Sequence, residues 1–179
     1  LRWVGFIPCG WSAEELAIRN IKSGIFPPES GTHCNPFNEW IGAQMRAGVC
    51  GMAAPGKPYI AAMLAWRDGE VSHANNGILG EVFNAVMTSL AFVDTDIRNV
   101  VRTSIDLIPK DSEYYSVVSY AYDCCICYEH WQDALKACMD KFHKYNWIHA
   151  YPNACGEIIA LIYGNGDFRE TLHIITMCG

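Results

Sequence analysis

An all-α fold of about nine helices is predicted by three features of this sequence. Apolar residues recur at three- and four-residue spacing along most of the chain. Capping Ser and Asp residues and terminating Gly and Pro residues punctuate that pattern at short intervals. No segment sustains the period-two alternation, bounded by turn residues, that a half-buried strand requires.

The elements follow in order. Ser12-Ala13-Glu14-Glu15 has capping-box spacing, and Leu16, Ile18 and Ile21 carry a helix until Gly24. Phe26-Pro27-Pro28-Glu29-Ser30-Gly31 reads as a loop, because paired prolines remove backbone donors. A second helix starts near Asn38 and runs through Met45 towards Met52. Pro55-Gly56-Lys57-Pro58 breaks it, and Pro58 suits the first turn of a helix over 58–68. The helix over 76–92 is apolar on most faces, which predicts a central position. Asp94-Thr95-Asp96 caps a helix carrying Ile97, Val100, Val101, Ile105 and Ile108, which Pro109 stops. Ser112 caps the next, through Val117, Val118 and Tyr122. Three more span 131–145, 153–163 and 168–177, the second closed by Gly164-Asn165-Gly166.

The length of 179 residues fits one domain, 1–179, with a real core. A net charge of −6, with 13 scattered Lys and Arg, argues against a nucleic-acid partner. No apolar run reaches the roughly 18 residues of a membrane span, so no membrane partner is expected. Nine cysteines at irregular spacing do not resemble a disulfide scaffold, and a reduced, cytoplasmic setting is the expectation. Cys124-Cys125-Ile126-Cys127 with His130 contains a CxxC, but it lies in a helical pattern with no second ligand pair, and its thiols read as packing groups. The first residues, Leu1 to Pro8, are too short and broken for a signal peptide. The absent initiator Met and the abrupt end at Met177-Cys178-Gly179 read as cuts through a longer protein.

The chemistry-bearing stretch is Arg67-Asp68-Gly69-Glu70-Val71-Ser72-His73-Ala74-Asn75-Asn76-Gly77-Ile78. It gathers a hydroxyl, an imidazole and two amides where one helix ends and another begins, beside unpaired carbonyls and amides. His73 can reach a ligand from such a linker or cap a helix. Upstream, Gly42-Ala43-Gln44-Met45-Arg46 opens a helix: Gly42 permits close backbone approach, and a helix start suits an anion. Arg46 fits either that anion or a structural ion pair. Asn75, Asn76 and Glu81 read as helix-start residues, and His149 as a buried structural histidine more than a ligand.

Ser72-His73 resembles the Thr-His or Ser-His pair of ADP-ribosylglycohydrolases, and Gly42, Met45 and Arg46 resemble that family's Gly-x-x-Met-Arg run. Ile108-Pro109 before Ser112, His149 before Pro152-Asn153-Ala154, and Gly164-Asn165-Gly166-Asp167 resemble further family segments in the same order, from about Gly10 to Gly179. The resemblance implies an orthogonal all-α globule. It also implies substrate-binding roles for Gly42, Met45, Arg46, Ser72 and His73, and a substrate that is an ADP-ribosylated protein or a ribosylated small molecule. Family hydrolases cleave the glycosidic bond to ADP-ribose, typically with two Mg²⁺ ions held by an Asp-Asp-Thr-type motif and an Asp-x-Asp-x-x-Asn motif. Neither motif occurs here, and Asp94-Thr95-Asp96 reads as a helix cap. Trp40-Ile41 replaces the family's usual Gly-Asn. Catalytic residues are therefore not assigned. Two readings stand: the middle of an ADP-ribosylglycohydrolase-like hydrolase, cut on both sides of its metal ligands, or a non-enzymatic, crystallin-like relative that binds ligand or serves a structural role.

Overall fold

The computed structural model describes residues 6, 7 and 9–178. The signal-peptide reading of Leu1 to Pro8 falls mostly outside those residues. Among the described residues there are eleven α-helices and no strand. The two helices beyond the expected nine have local causes. Glu29–Thr32 forms a single turn inside the expected loop, started by Pro28, whose fixed φ suits a helix start. The helix expected from Asn38 to Met52 is two pieces, Gly42–Arg46 and Gly48–Met52, separated at Ala47.

The chain divides into two compact units, Leu1–Ser89 and Leu90–Gly179. The first contains α1 (Ser12–Lys22), α2 (Glu29–Thr32), α3 (Gly42–Arg46), α4 (Gly48–Met52), α5 (Pro58–Gly69) and most of α6 (Asn75–Ala91). Its core combines small side chains, among them Ala13, Ala17, Ala43, Ala47, Ala61 and Ala65, with Ile78, Val82, Phe83 and Val86 of α6. Glycines make the close approaches to α6: a Cβ on Gly51 would meet Thr88 and the Ala85 carbonyl, and one on Gly69 would meet Ile78 and Glu81. The break before α5 is tied to the end of α6: Ser89 Oγ donates to the Ala54 carbonyl and accepts from the Lys57 amide at 3.0 Å.

The capping box at Ser12 is corrected. Trp11 is the N-cap and Ser12 makes no capping bond; Glu15 instead accepts from the Gly10 amide at 2.8 Å. The Glu half of the pattern works, but it reaches two residues further back than a capping box would.

The second unit contains α7 (Ile97–Asp106), α8 (Glu113–Cys127), α9 (Trp131–Phe142), α10 (Ala150–Gly164) and α11 (Phe168–Met177). Helix α10 is its centre, packing on α7, α8, α9 and α11 through Ala154, Cys155, Ile158, Ile159 and Ile162. Asp96 and Ser112 cap α7 and α8 as expected: Asp96 accepts from the Arg98 and Asn99 amides, Ser112 from that of Tyr115. Helix α10 starts three residues before the expected Asn153, because His149 is its N-cap and Pro152 is tolerated in the first turn. Asn165 ends it in the left-handed conformation at φ 46°, followed by Gly166. Cys124 and Cys125 are buried in α8 while Cys127 is exposed, so the CxxC is spread over a helix.

Candidate functional site

Two sequence-predicted segments meet in the first unit. Arg46 closes α3, and Ser72 and His73 lie in the turn between α5 and α6. The Arg46 guanidinium donates through Nη1 to Glu14 Oε1 at 2.8 Å and through Nη2 to Ser72 Oγ at 3.0 Å. Its Nε bonds Asp68 Oδ2, and Nη2 also reaches the Asp68 carbonyl at 3.2 Å. One cation thus joins α1, the end of α5 and the turn after it. Burial works against the charge on Arg46, but Glu81, Asp68 and Glu14 outweigh it and raise the pKa above the usual arginine value.

His73 stands behind Ser72 and is only 1% exposed. Its Nε2 accepts from the Ala43 amide at 3.3 Å, which places the ring proton on Nδ1, 2.8 Å from Ser72 Oγ. Burial, and then the Arg46 charge, push its pKa down to about 3. The imidazole is therefore neutral across the physiological range.

Glu81, in the second turn of α6, is 0% exposed. Neither of its oxygens meets a hydrogen-bond donor, and Arg46 Nη2 lies 3.6 Å from Oε2. Burial raises its pKa to about 9, with Asp68 adding to the shift and Arg46 opposing it. Its neighbour within bonding reach is the Asp68 carboxylate, so the pair closes through a proton on Glu81. Burial would raise Asp68 as well, but the bonds from Glu81 and Arg46 win and hold it below the ordinary carboxylate range.

Two glycines make room for this cluster. A Cβ on Gly42 would overlap the Glu14 carboxylate, and one on Gly31 would lie 2.5 Å from the His73 carbonyl oxygen. Gly42 therefore admits a carboxylate of the same chain at the start of α3, where the sequence suggested room for an anionic ligand. Met45, the remaining predicted residue, is 74% exposed and makes no part of the cluster. Trp40 packs against Phe37 with ring centroids 4.4 Å apart and the rings tilted by 50°. His149 Nδ1 accepts from the Tyr151 amide, the bond of a helix cap.

A cavity of about 190 Å³ opens beside the cluster. Its apolar wall is Ile7, Ala17, Ile18, Ile21 and Val71, and its polar side is Glu14, Arg46, Asp68 and Ser72. Arg46 and Ser72 reach it, whereas Gly42, Met45 and His73 do not line it. Sequence reading passed over Glu14, Asp68 and the pairing of Glu81. A signal existed for the last: a lone acid between Gly80 and Val82 on an otherwise apolar helix must find a partner or a proton.

The described residues do not fit Mg²⁺. Among the described residues no three His, Cys, Asp or Glu side chains converge on a metal position. The three acids of the cluster surround Arg46, whose guanidinium already supplies the compensating charge. Asp94 and Asp96 bond the Asp96, Arg98 and Asn99 amides and the Asn99 side chain, as a helix cap does. No described helix is long and apolar enough to cross a membrane.

The sequence model of the ADP-ribosylglycohydrolase family matches residues 2–179. No curated protein and no solved structure matches the chain at a significant level. With the match running through both motifs that Arg46 ties together, this all-α chain belongs to the ADP-ribosylglycohydrolase family.

Proposed function

We propose that this chain is the substrate-side part of an ADP-ribosylglycohydrolase-like hydrolase, acting on a glycosidic bond to ADP-ribose or a related ribosyl compound. The observation that carries the reading is the Arg46–Ser72 bond at 3.0 Å, which makes the Gly-x-x-Met-Arg and Ser-His motifs one unit. In this reading Arg46 and His73 act as a frame: they hold the start of α3 and the Ser72 turn in fixed register, and ligand contacts fall to groups this frame presents. The water-activating chemistry that Mg²⁺ supplies in the family would need ligands other than the described residues. In this reading residues 1–179 form one domain.

The test is calorimetric titration of the chain with ADP-ribose, paired with an assay for Mg²⁺-dependent release of ADP-ribose from a modified protein. Saturable binding that Ser72→Ala weakens supports the reading; absence of binding sinks it. A second reading, a crystallin-like non-enzymatic relative, is favoured by one observation: Arg46 and His73 bond within the protein at nearly every polar position. That reading expects a stable fold that releases no ADP-ribose, whether it binds a ligand or serves a structural role.

A further inference from the structure

We propose that the outer faces of α4 and α5 form a twofold interface between two copies of this chain, with α5 of one protomer antiparallel to α5 of its partner. The inference goes beyond the glycohydrolase reading and stands without it. The close approaches at Gly51 and Gly69 set α4 and the end of α5 against α6. Ala61 and Ala65, at four-residue spacing from Gly69, are fully buried on the same stripe of α5. The opposite stripe faces water, and a solvated stripe is ordinarily polar. Here it carries Tyr59, Ile60, Met63 and Trp66. Helix α4 adds Val49 and Met52, turned away from Gly51. All six side chains are between 44% and 76% exposed. Because α4 packs on α5, the two apolar faces adjoin within the first unit.

Area and charge select the occupant. Together the six side chains expose on the order of 700 Å², more than a monomer ordinarily leaves as one apolar patch. A standard interface covers roughly 800 Å² of each partner, so this patch and its charged rim supply one side of a stable dimer. The rim is self-complementary. Lys57 stands at the start of α5, and Arg67 and Glu70 at its end. Among the described residues neither Lys57 nor Arg67 has an ion-pair partner. Glu70 accepts from Trp66 Nε1 at 2.7 Å through Oε1, and Oε2 meets no described donor. An antiparallel pairing centred on Met63 brings together residues nearly equally far before and after it. Ile60 of one protomer then lies beside Trp66 of its partner, Tyr59 beside Arg67, and Lys57 beside Glu70, each twice by symmetry. A cation over a ring and an opposite-charge pair close both ends of the seam. A parallel pairing would set Lys57 against Lys57 instead.

The experiment is sedimentation velocity of the full 20.0 kDa chain, followed over concentrations from about 1 to 100 μM. A concentration-dependent species of twice the chain mass is expected. Met63→Glu places two carboxylates together at the axis and should raise the dissociation constant at least about tenfold. Its site lies on the stripe away from α6, so its circular dichroism should match that of the wild type. Lys57→Glu should weaken the dimer about threefold, and adding Glu70→Lys to it should restore association by exchanging the charges. A chain that stays monomeric throughout this range, or a dimer indifferent to Met63→Glu, overturns the proposal and leaves the face to a different partner. A charge exchange that restores nothing overturns the antiparallel pairing. Failure of ADP-ribose to bind sinks the glycohydrolase reading and leaves the sedimentation result untouched.

Discussion

Arg46 Nη2 donates to Ser72 Oγ at 3.0 Å, and the same hydroxyl lies 2.8 Å from His73 Nδ1. The last residue of α3 thereby sets the geometry of a turn 26 residues further along the chain. The relationship assigns Arg46 a stabilising role that a ligand-contact reading would not require.

Arg46→Met should destabilise the first unit by roughly 2–4 kcal/mol, because Glu14, Asp68 and Ser72 lose their donor and part of that loss is buried. Arg46→Lys should recover less than half, since one ammonium cannot bond Glu14, Asp68 and Ser72 in the same fork geometry. Urea unfolding midpoints decide the matter. A Lys variant as stable as the wild type would show that charge alone, not the guanidinium geometry, holds the cluster.

Glu81 gives a stability–pH prediction with a definite sign. Its folded pKa is raised to about 9 from an ordinary 4.5, so the folded state holds a proton that the unfolded chain has released. That contribution is fully present below about pH 4.5 and is lost as pH rises towards 9. Glu81→Gln keeps the shape and has no proton to lose. The stability of the Gln variant relative to wild type should therefore climb between those limits and level off above them. Urea titrations of both proteins from pH 5 to 9 measure it, and a flat difference would mean that Glu81 is ionised in the fold.

The helices were legible because each has a local signature: Asp96 and Ser112 sit where caps belong, and Asn165-Gly166 where a left-handed stop belongs. The break at Ala47 was not, since Ala favours helix and no local residue signals the interruption. The motifs around Arg46 and His73 were legible as motifs, but their partners were not. Glu14 and Asp68 lie 32 and 22 residues from Arg46 in sequence. Exposed acids look alike in a sequence until the fold selects the two that face a guanidinium. His73 illustrates the same limit, since nothing local says that a linker histidine will be buried and bonded at both nitrogens.

The two tight glycines should respond differently to alanine. At Gly42 the obstacle is the end of the Glu14 side chain, which is half-exposed and can swing into solvent. The cost is then the Glu14–Arg46 contact, about 1 kcal/mol. At Gly31 the obstacle is the His73 backbone, at 2.5 Å from its carbonyl oxygen, which cannot move without shifting the Ser72 turn. Gly31→Ala should cost about 2–3 kcal/mol or more. Thermal melts of the two variants rank them, and the reverse order would overturn the assignment of Gly42 to Glu14.

His73 should not titrate in the physiological range. Burial and the Arg46 charge lower its pKa from 6.5 to about 3, so its Cε1 proton resonance should hold one position from pH 8 to 5. The linkage runs opposite to that of Glu81. The folded state resists protonation that the unfolded chain accepts, so this contribution to stability is complete above about pH 6.5 and declines as pH falls towards 3. His73→Gln keeps an acceptor for the Ala43 amide but no group that titrates, and should flatten that part of the acid limb. A wild-type ring titrating near 6.5 would mean that the imidazole is open to water. It would then be released from Ala43 and Ser72 and available to a ligand, and the framing role argued for it would fail.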